Sequence, residues 1–541
     1  MSGMTSRVRA LDAGQAAALQ DAAWRQVSTH VDGMALGSGI AALARAGIID
    51  LIARQPRITA GEIIERTGWR AGYLHVIFKL LEYQGWIERE GPPDGAMRVR
   101  LTEAGNSLPA VAPLYENAVV ALAAARQWLA GGTPPGPQWR PLLDCALAAW
   151  RSGDDPLLTT VRTHLDGHLA APILARLADV DQVPTHERLD RALDFAALDQ
   201  DLASRFAAFL RHLGWIDGID GSTTSWSLHG TAAALMLPQY WYPLIYLPTL
   251  AAVGELLEGR RAVGTAGGPA EEQHLDRQLD IRFSGTVFNS TCRRHFLNVV
   301  VPCFARDAEA RPRYLVDIGC GDGRLLAETW SAIAASCGRE RAPTAVGIDL
   351  NRVALAATDK LLHDSGVPAR ILPGDVTRPD LVARSLRDCG IDCDTCLFVC
   401  KSVIHDRDYV APARAVAQVD APCDLVFVAD DGGLIPVTMI EQSLVDLFVA
   451  WKPLIARHGW VVIEAHTVPA RVAAAHRGRT QIAILDATHG YSRQYLVDAA
   501  RFGRAAQRAG LVSEAHGEIG AAQLGHAALT IDHFRAPSFF S

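Results

Sequence analysis

Tyr314-Leu-Val-Asp-Ile-Gly-Cys-Gly-Asp-Gly-Arg324 is the stretch from which the rest of the chain can be read. An apolar strand runs into an acid, Asp317, and then into three alternating glycines, Gly319, Gly321 and Gly323. Glycine lets a strand-to-helix turn tighten and lets a ligand come close to the backbone. A helix is predicted to follow from Arg324, with its positive N-terminal end aimed at that ligand. The spacing is G-x-G-x-G. A dinucleotide fingerprint needs glycine at position 324, where this chain has Arg. A second acid, Asp349, ends the next apolar strand, Thr344-Ala-Val-Gly-Ile-Asp349, 32 residues after Asp317. It is placed to take ribose hydroxyls, yet it lies farther along than a nicotinamide pattern expects. A third turn, Pro373-Gly-Asp375-Val, again puts an acid beyond a strand.

Glycine loop, second acid and third turn together resemble the S-adenosylmethionine (SAM) site of class I methyltransferases. The resemblance implies a Rossmann-like α/β domain that holds SAM through Asp317, Gly319, Gly321, Gly323, Asp349 and Asp375. The alternative is a glycine turn that serves only the backbone of some other α/β protein.

The bulk numbers narrow the class. A chain of 541 residues has room for three or four domains, and 49% hydrophobic residues exclude wholesale disorder. Net charge is −7 and no long basic run stands out, which argues against nucleic acid as the partner. Residues 1–10 lack the apolar core of a signal peptide, and Tyr240–Leu257, interrupted by Pro243, Pro248 and Glu255, is too short and broken to span a membrane. The expected location is the cytoplasm. Of ten cysteines, four cluster as Cys389, Cys393, Cys396 and Cys400. That spacing invites a zinc or iron–sulfur reading. A buried strand, Cys396-Leu-Phe-Val-Cys400, fits better, because thiols at 393 and 396 would face opposite sides of one extended segment.

The N-terminal half reads as a duplication. Copy one runs from Asp32-Gly33 through a helix ending in Gly85-Trp86-Ile87 to Arg98–Leu101. Copy two runs from Asp166-Gly167 through a helix ending in Gly214-Trp215-Ile216 to Trp226–Leu228. Each copy then turns at glycine, over Pro92–Gly95 and Gly218–Gly221, to pair two short strands. Thr59-Ala-Gly-Glu62 is a capping box that opens one helix of copy one. Helices followed by a hairpin are winged-helix-like, an arrangement that can bind DNA. With an acidic chain, a dimerisation and substrate-lid role is the preferred reading, and a winged-helix DNA-binding regulator is the alternative of another class. Gly131–Pro137 and Gly264–Pro269 read as linkers. The expected domains are a first module over 1–130, a second over 137–263 and a methyltransferase domain over 275–541. In the last, strands are predicted at 314–318, 344–349, 370–373, 395–400, 424–429, 460–465 and 526–531, alternating with helices in a mainly parallel sheet.

Cys400-Lys-Ser-Val-Ile-His405-Asp-Arg-Asp-Tyr409 follows the fourth of those strands. In an open parallel sheet the carboxyl ends of the strands face the ligand crevice, so His405 should lie near the reactive end of the cofactor. Lys401-x-x-x-His405-Asp406 resembles the small-molecule O-methyltransferases, where it implies His405 as general base; their usual tryptophan is here Arg407. The chain also resembles methyltransferases of polyketide assembly lines, including the metal-dependent domain of the apratoxin loading module. That match adds Asp430–Leu434, Ile440-Glu-Gln442 through Phe448, Trp460–Thr467 and Ala487–Tyr495. It implies carbon methylation of a small acyl or acidic substrate, free or carrier-bound, with one iron or manganese ion held by His405, Asp406 and Gln442, and Lys401 among the cofactor contacts. O-methylation with His405 as base is the alternative, and a homodimer is one expected assembly.

Bland readings compete with several of these residues. Asp406 and Asp408 would cap a helix starting near Asp408, and Gln442 would be a solvated position of an amphipathic helix. Glu464 and His466 close a strand and are expected to support or face the site rather than to ligate. Asp280–Asn289 is expected either to lie over the cofactor or to be a linker helix.

Overall fold

The computed structural model describes residues 4–131, 136–149, 155–196, 198–217, 224–263, 274–415 and 424–536. The Gly218–Gly221 turn and the Gly264–Pro269 linker fall outside these residues, as does the middle of the Gly131–Pro137 linker. Two compact units are present: residues 1–262 with 470–491, and residues 263–469 with 492–541.

The first unit is mostly helical. Its long helix α1 (Ala13–Arg45) opens on a capping box in which Asp12 accepts from the Gln15 N–H. The Ala60–Thr67 helix opens on the box expected from Thr59 and Glu62, each side chain accepting from the other's backbone N–H. Helix α2 (Ala71–Tyr83) leads into a hairpin of Ile87–Glu90 with Arg98–Leu101. Farther along come α3 (Trp139–Ala149), α4 (Pro156–Asp179) and α5 (Gln200–His212).

The two Gly-Trp-Ile turns are built alike. Thr102 N–H donates to Trp86 O at 3.0 Å, and Ser227 N–H to Trp215 O at 2.9 Å. The Thr102 hydroxyl donates to Gly85 O, and the Ser227 hydroxyl to Gly214 O, both at 2.6 Å. A Cβ on Gly105 would lie 2.0 Å from Trp86 O, and one on Gly230 would lie 1.9 Å from Trp215 O, so both positions exclude any side chain. The second turn carries less strand. Among the described residues Ile216 bridges Trp226, Asp217 N–H donates to Ser225 O at 3.0 Å, and Thr224–Ser225 also pairs with Ala192–Leu193. Among the described residues one helical stretch, Glu103–Gly131, is long and apolar enough to cross a membrane, and half of its apolar 18-residue window is buried in the fold.

The second unit is a seven-stranded sheet: β1 (Tyr314–Ile318), β2 (Thr344–Asp349), β3 (Ala369–Pro373), β4 (Cys396–Lys401), β5 (Trp460–Ala465), β6 (Val512–Ile519) and β7 (Leu529–Arg535). Their order is β6-β7-β5-β4-β1-β2-β3. Strands β1 to β5 are parallel, while β7 is antiparallel to both neighbours. Successive residues feed opposite faces. Leu315, Leu397, Val399 and Ile463 enter one core, while Val316, Phe398, Val462 and Trp460 enter the other. The second core is closed by Trp451 stacked on Trp460 at 4.6 Å. Chain order reverses between β1 and β4, and this is where an open α/β sheet leaves a crevice at its carboxyl edge.

The strand predicted at 424–429 is absent. Leu425–Val428 is buried and apolar, but only Val428 bridges, to Leu434. Both edges of β4 are taken by β1 and β5, so the run fills core without joining a ladder. A short apolar run does not by itself separate strand from buried loop. Strand β6 had no such signal, since Ser513–Glu518 is polar and this is an exposed edge. The last strand lies at 529–535 rather than 526–531. No helix begins at Asp408 among the described residues, so capping does not account for Asp406 or Asp408.

Candidate active site

The glycine loop leaves β1 with Gly319, Gly321 and Gly323 all at positive φ. Two of them also answer to close approach. A Cβ on Gly319 would sit 2.3 Å from a methyl of Val403, in the loop after β4. One on Gly323 would sit 2.9 Å from a methyl of Thr358. Gly323 is also the N-cap of the helix Arg324–Cys337, so the loop delivers that helix's N-terminal end to the crevice. The helix Arg277–Val287 packs here as well: a Cβ on Gly285 would meet Arg324 and Asp322 at 2.6 and 2.8 Å. The 280–289 stretch is therefore helical and lies against the glycine loop.

Asp349 ends β2 and holds the loop. Its carboxylate accepts from Gly321 N–H at 3.0 Å and from Asn351 N–H at 2.8 Å. Gly374 N–H donates to Asp349 O at 3.1 Å, which seats the β3 turn and Asp375 alongside; the Asp375 carboxylate accepts from Thr377 N–H at 2.7 Å. Asp317 is 1% exposed, and its Oδ1 is buried with no hydrogen-bond partner. Burial, reinforced by the charge of Asp349, raises its pKa well above the ordinary carboxylate range, and Lys401 pulls it partly back. A buried acid of this kind calls for a donor, since a lone buried polar atom is costly. SAM brings a ribose for Asp349 and an ammonium for such an acid, so the residues present fit it.

The loop after β4 is built differently. Ser402 sits in the left-handed region at φ 56°, a costly conformation for serine, and donates its N–H to Ile463 O at 2.8 Å. That turn carries His405 inward until it is 5% exposed. Its ring Nδ1 makes a very short contact with the Glu464 carboxylate at the end of β5. Glu464 is 1% exposed and also accepts from the N–H groups of Ile404 and His405, at 3.2 and 3.3 Å. With two N–H groups donating to it, Glu464 is the acceptor of a third from His405 Nδ1, so the ring acts through Nε2. His405 O in turn accepts from Tyr495 N–H at 2.7 Å.

Arg407, buried at 3% exposure, clamps the loop. It donates to Ile404 O at 2.9 Å and to Ile440 O at 3.3 Å, and its guanidinium lies 5.6 Å from the centre of the Tyr495 ring. Burial pushes its pKa down to about 10. The clamp ties the His405 loop to the helix Val437–Trp451, which carries Gln442.

The sequence-predicted residues thus fall into groups. Asp317, Gly319, Gly321, Gly323, Asp349 and Asp375 line neighbouring strand ends. Lys401 ends β4, close enough for its charge to act on Asp317 and Asp322. Asp406 lies on the exposed side of the His405 turn. The Gln442 amide nitrogen donates to Asp446 at 2.7 Å, which leaves its oxygen as the atom a metal would need. Among the described residues no group of three or more His, Cys, Asp and Glu side chains is arranged to hold a metal. Glu464 as the partner of His405, and Arg407 as a clamp, were not read from the sequence. The sequence places Glu464 as a residue that supports or faces the site, and marks Arg407 only as a departure from the usual tryptophan.

Two family models match parts of the chain. Residues 272–524 match the AprA MT2-like domain, and residues 24–89 match the AprA N-terminal domain. No curated protein matches the chain. Solved structures that resemble it include the mitomycin 7-O-methyltransferase MmcR, 15% identical over 70% of this chain and 97% of that one, with a TM-score of 0.42. Another is the DszA carbon methyltransferase, 13% identical over 79% and 91%, with a TM-score of 0.34. Human N-acetylserotonin methyltransferase, solved with SAM, is 13% identical over 72% and 99%, with a TM-score of 0.41. Glycine loop, strand-end acids and buried histidine at the switch point are those of a class I SAM-dependent methyltransferase, and the chain is an enzyme of that class. Its catalytic domain is similar to the AprA MT2-like domain.

Proposed function

We propose that this enzyme methylates a small acyl or acidic metabolite at carbon, free or carrier-bound, in polyketide-type secondary metabolism in the cytoplasm. The observation that carries the reading is the buried His405–Glu464 pair at the end of β4, next to the glycine loop. SAM, when bound, supplies an electrophilic methyl group. Carbon becomes a nucleophile only after losing a proton α to the carbonyl. His405 Nε2 is the group to take that proton, while Glu464 fixes the ring and balances the charge it acquires. Burial keeps water from competing.

A metal would be an alternative use of His405 rather than an addition, because Nε2 has one lone pair and cannot both ligate and take the proton. His405 Nε2, Asp406 and the Gln442 oxygen offer one nitrogen and two oxygens, and a carboxylate on the far ring nitrogen is the usual support for a ligating histidine. An iron or manganese ion held there would polarise the acyl carbonyl and make the α-proton easier to remove. The same His405 without metal suits a hydroxyl acceptor, and the Lys401-x-x-x-His405-Asp406 pattern keeps O-methylation as the second reading.

The test is turnover of SAM with malonyl-type and phenolic acceptors, together with metal analysis of protein purified without chelator. Methylated malonyl product is the expected result, and methylation of phenols alone would establish the second reading. Gln442→Ala should lower bound metal while SAM binding survives. Full activity after exhaustive chelation, with no metal in the purified enzyme, would remove the metal.

A further inference from the structure

The two helical copies touch each other reciprocally. His30-Val-Asp-Gly33 lies in α1 and His164-Leu-Asp-Gly167 in α4. Gly33 is pressed against His164: a Cβ there would lie 2.4 Å from His164 Cα. Gly167 is pressed against His30, with a Cβ 2.4 Å from His30 O. His30 Nδ1 shares a hydrogen bond with Tyr240 of copy two at 2.5 Å, and His164 Nδ1 shares one with Tyr115 of copy one at 2.6 Å. Tyr115 stands thirteen residues after Thr102, and Tyr240 thirteen after Ser227. The tryptophans follow the same rule. Trp86 of copy one meets the His164 ring at 5.6 Å, and Trp215 of copy two meets the His30 ring at 6.2 Å. In every pair, residue i of one copy touches residue j of the other, and the reverse also holds. That is the signature of a two-fold, self-complementary interface, which ordinarily joins two chains.

One face departs from the symmetry. In copy one, α2 is covered by the 470–491 segment: Asp486 pairs with Lys79 at 3.1 Å and with the Tyr83 hydroxyl, and Gly490 lies against Val76. Counted back from each Gly-Trp, the counterparts of Val76, Lys79 and Tyr83 are Arg205, Ala208 and His212. At the positions of Lys79 and Tyr83 copy two has Ala208 and His212, so the two contacts that Asp486 makes in copy one have no counterpart there. Its α5 is covered instead by α3, where Arg205 pairs with Asp144 and Phe206 stacks on Trp139 at 5.9 Å.

We infer that copy two is a built-in partner: it fills the face through which copy one would otherwise pair with a second chain, and the enzyme works as a monomer with one catalytic unit. This reverses the homodimer expected from sequence. It is independent of which acceptor is methylated.

The test is sedimentation equilibrium of the full chain over a wide concentration range, combined with Tyr115→Phe and Tyr240→Phe. A single species of 58.2 kDa is expected at all concentrations, with a Tm that does not depend on concentration. Each substitution should lower Tm by a similar few degrees and leave the mass unchanged. A two-chain species at micromolar concentration, through whatever face, overturns the inference. So does a Tm that rises with protein concentration, and so does a Tm that neither substitution moves.

Discussion

The loop after β1 and the loop after β4 touch, with Gly319 against Val403, yet they are made by opposite means. The first works by removing side chains: three glycines at positive φ open the backbone to a ligand, and one carboxylate, Asp349, steadies it. The second works by adding them. His405 is set by Glu464 from β5 and by Tyr495, both far along the chain, and by the Arg407 clamp of its own turn. Binding a constant cofactor needs an open, repeatable backbone. Placing one proton-accepting nitrogen needs a rotamer locked from several sides.

The largest effect expected from breaking that contrast is His405→Ala. Methyl transfer should fall about 10²–10⁴-fold, the usual worth of a positioned acid–base group. SAM affinity by calorimetry should be unchanged, because the first loop is intact. A parallel loss of SAM binding would mean that the two loops do not divide the work this way.

Next come Gly321→Val and Asp349→Ala. Each should weaken SAM binding more than tenfold, which is about 1.4 kcal/mol or more. Valine is strained at positive φ, and loss of the carboxylate releases Gly321 N–H. Undiminished affinity in both would refute the cofactor site.

Asp317→Asn sharpens the comparison through stability. The folded state raises the pKa of this acid, so the native form holds its proton more tightly than the unfolded one and stability is lost as pH rises through that pKa. The amide should therefore raise the Tm of the cofactor-free protein at pH 8 more than at pH 5, while weakening SAM binding. An unchanged or lower Tm at pH 8 would show that Asp317 is already satisfied.

Arg407→Met is the mildest. Two carbonyls lose donors, at about 1–3 kcal/mol each, partly offset because a buried charge also goes. A Tm lower by a few degrees and a several-fold drop in turnover are expected. A wild-type melting curve would mean that the clamp holds nothing.

These regions also differ in how far they can be read from sequence. The glycine loop and its acids are local, and their strand ends fell where the residues put them. Phe398 and Val399 read as strand because burial on both faces makes a continuous apolar run. The His405 loop was legible only in part. The histidine stood in a motif, but its partner Glu464 comes 59 residues later in chain numbering, and no local pattern announces that pairing. Arg407 read as a missing tryptophan, because what a buried guanidinium holds depends on carbonyls of Ile404 and Ile440 that carry no sequence signal. Leu425–Val428 misled because burial, not pairing, sets its composition. Edge strand β6 was silent because solvent, not core, sets its residues.

The most direct test of the account is Glu464→Gln, measured for both SAM affinity and turnover on the acyl acceptor. Glutamine keeps the shape of the site but cannot balance charge on His405 or select its tautomer as a carboxylate does. The expected result is unchanged SAM binding with turnover reduced by about 10-fold or more, in the direction seen when a catalytic histidine loses its orienting acid. Wild-type turnover in Glu464→Gln would contradict the account at its centre, because His405 would then work without the group that the fold brings to it.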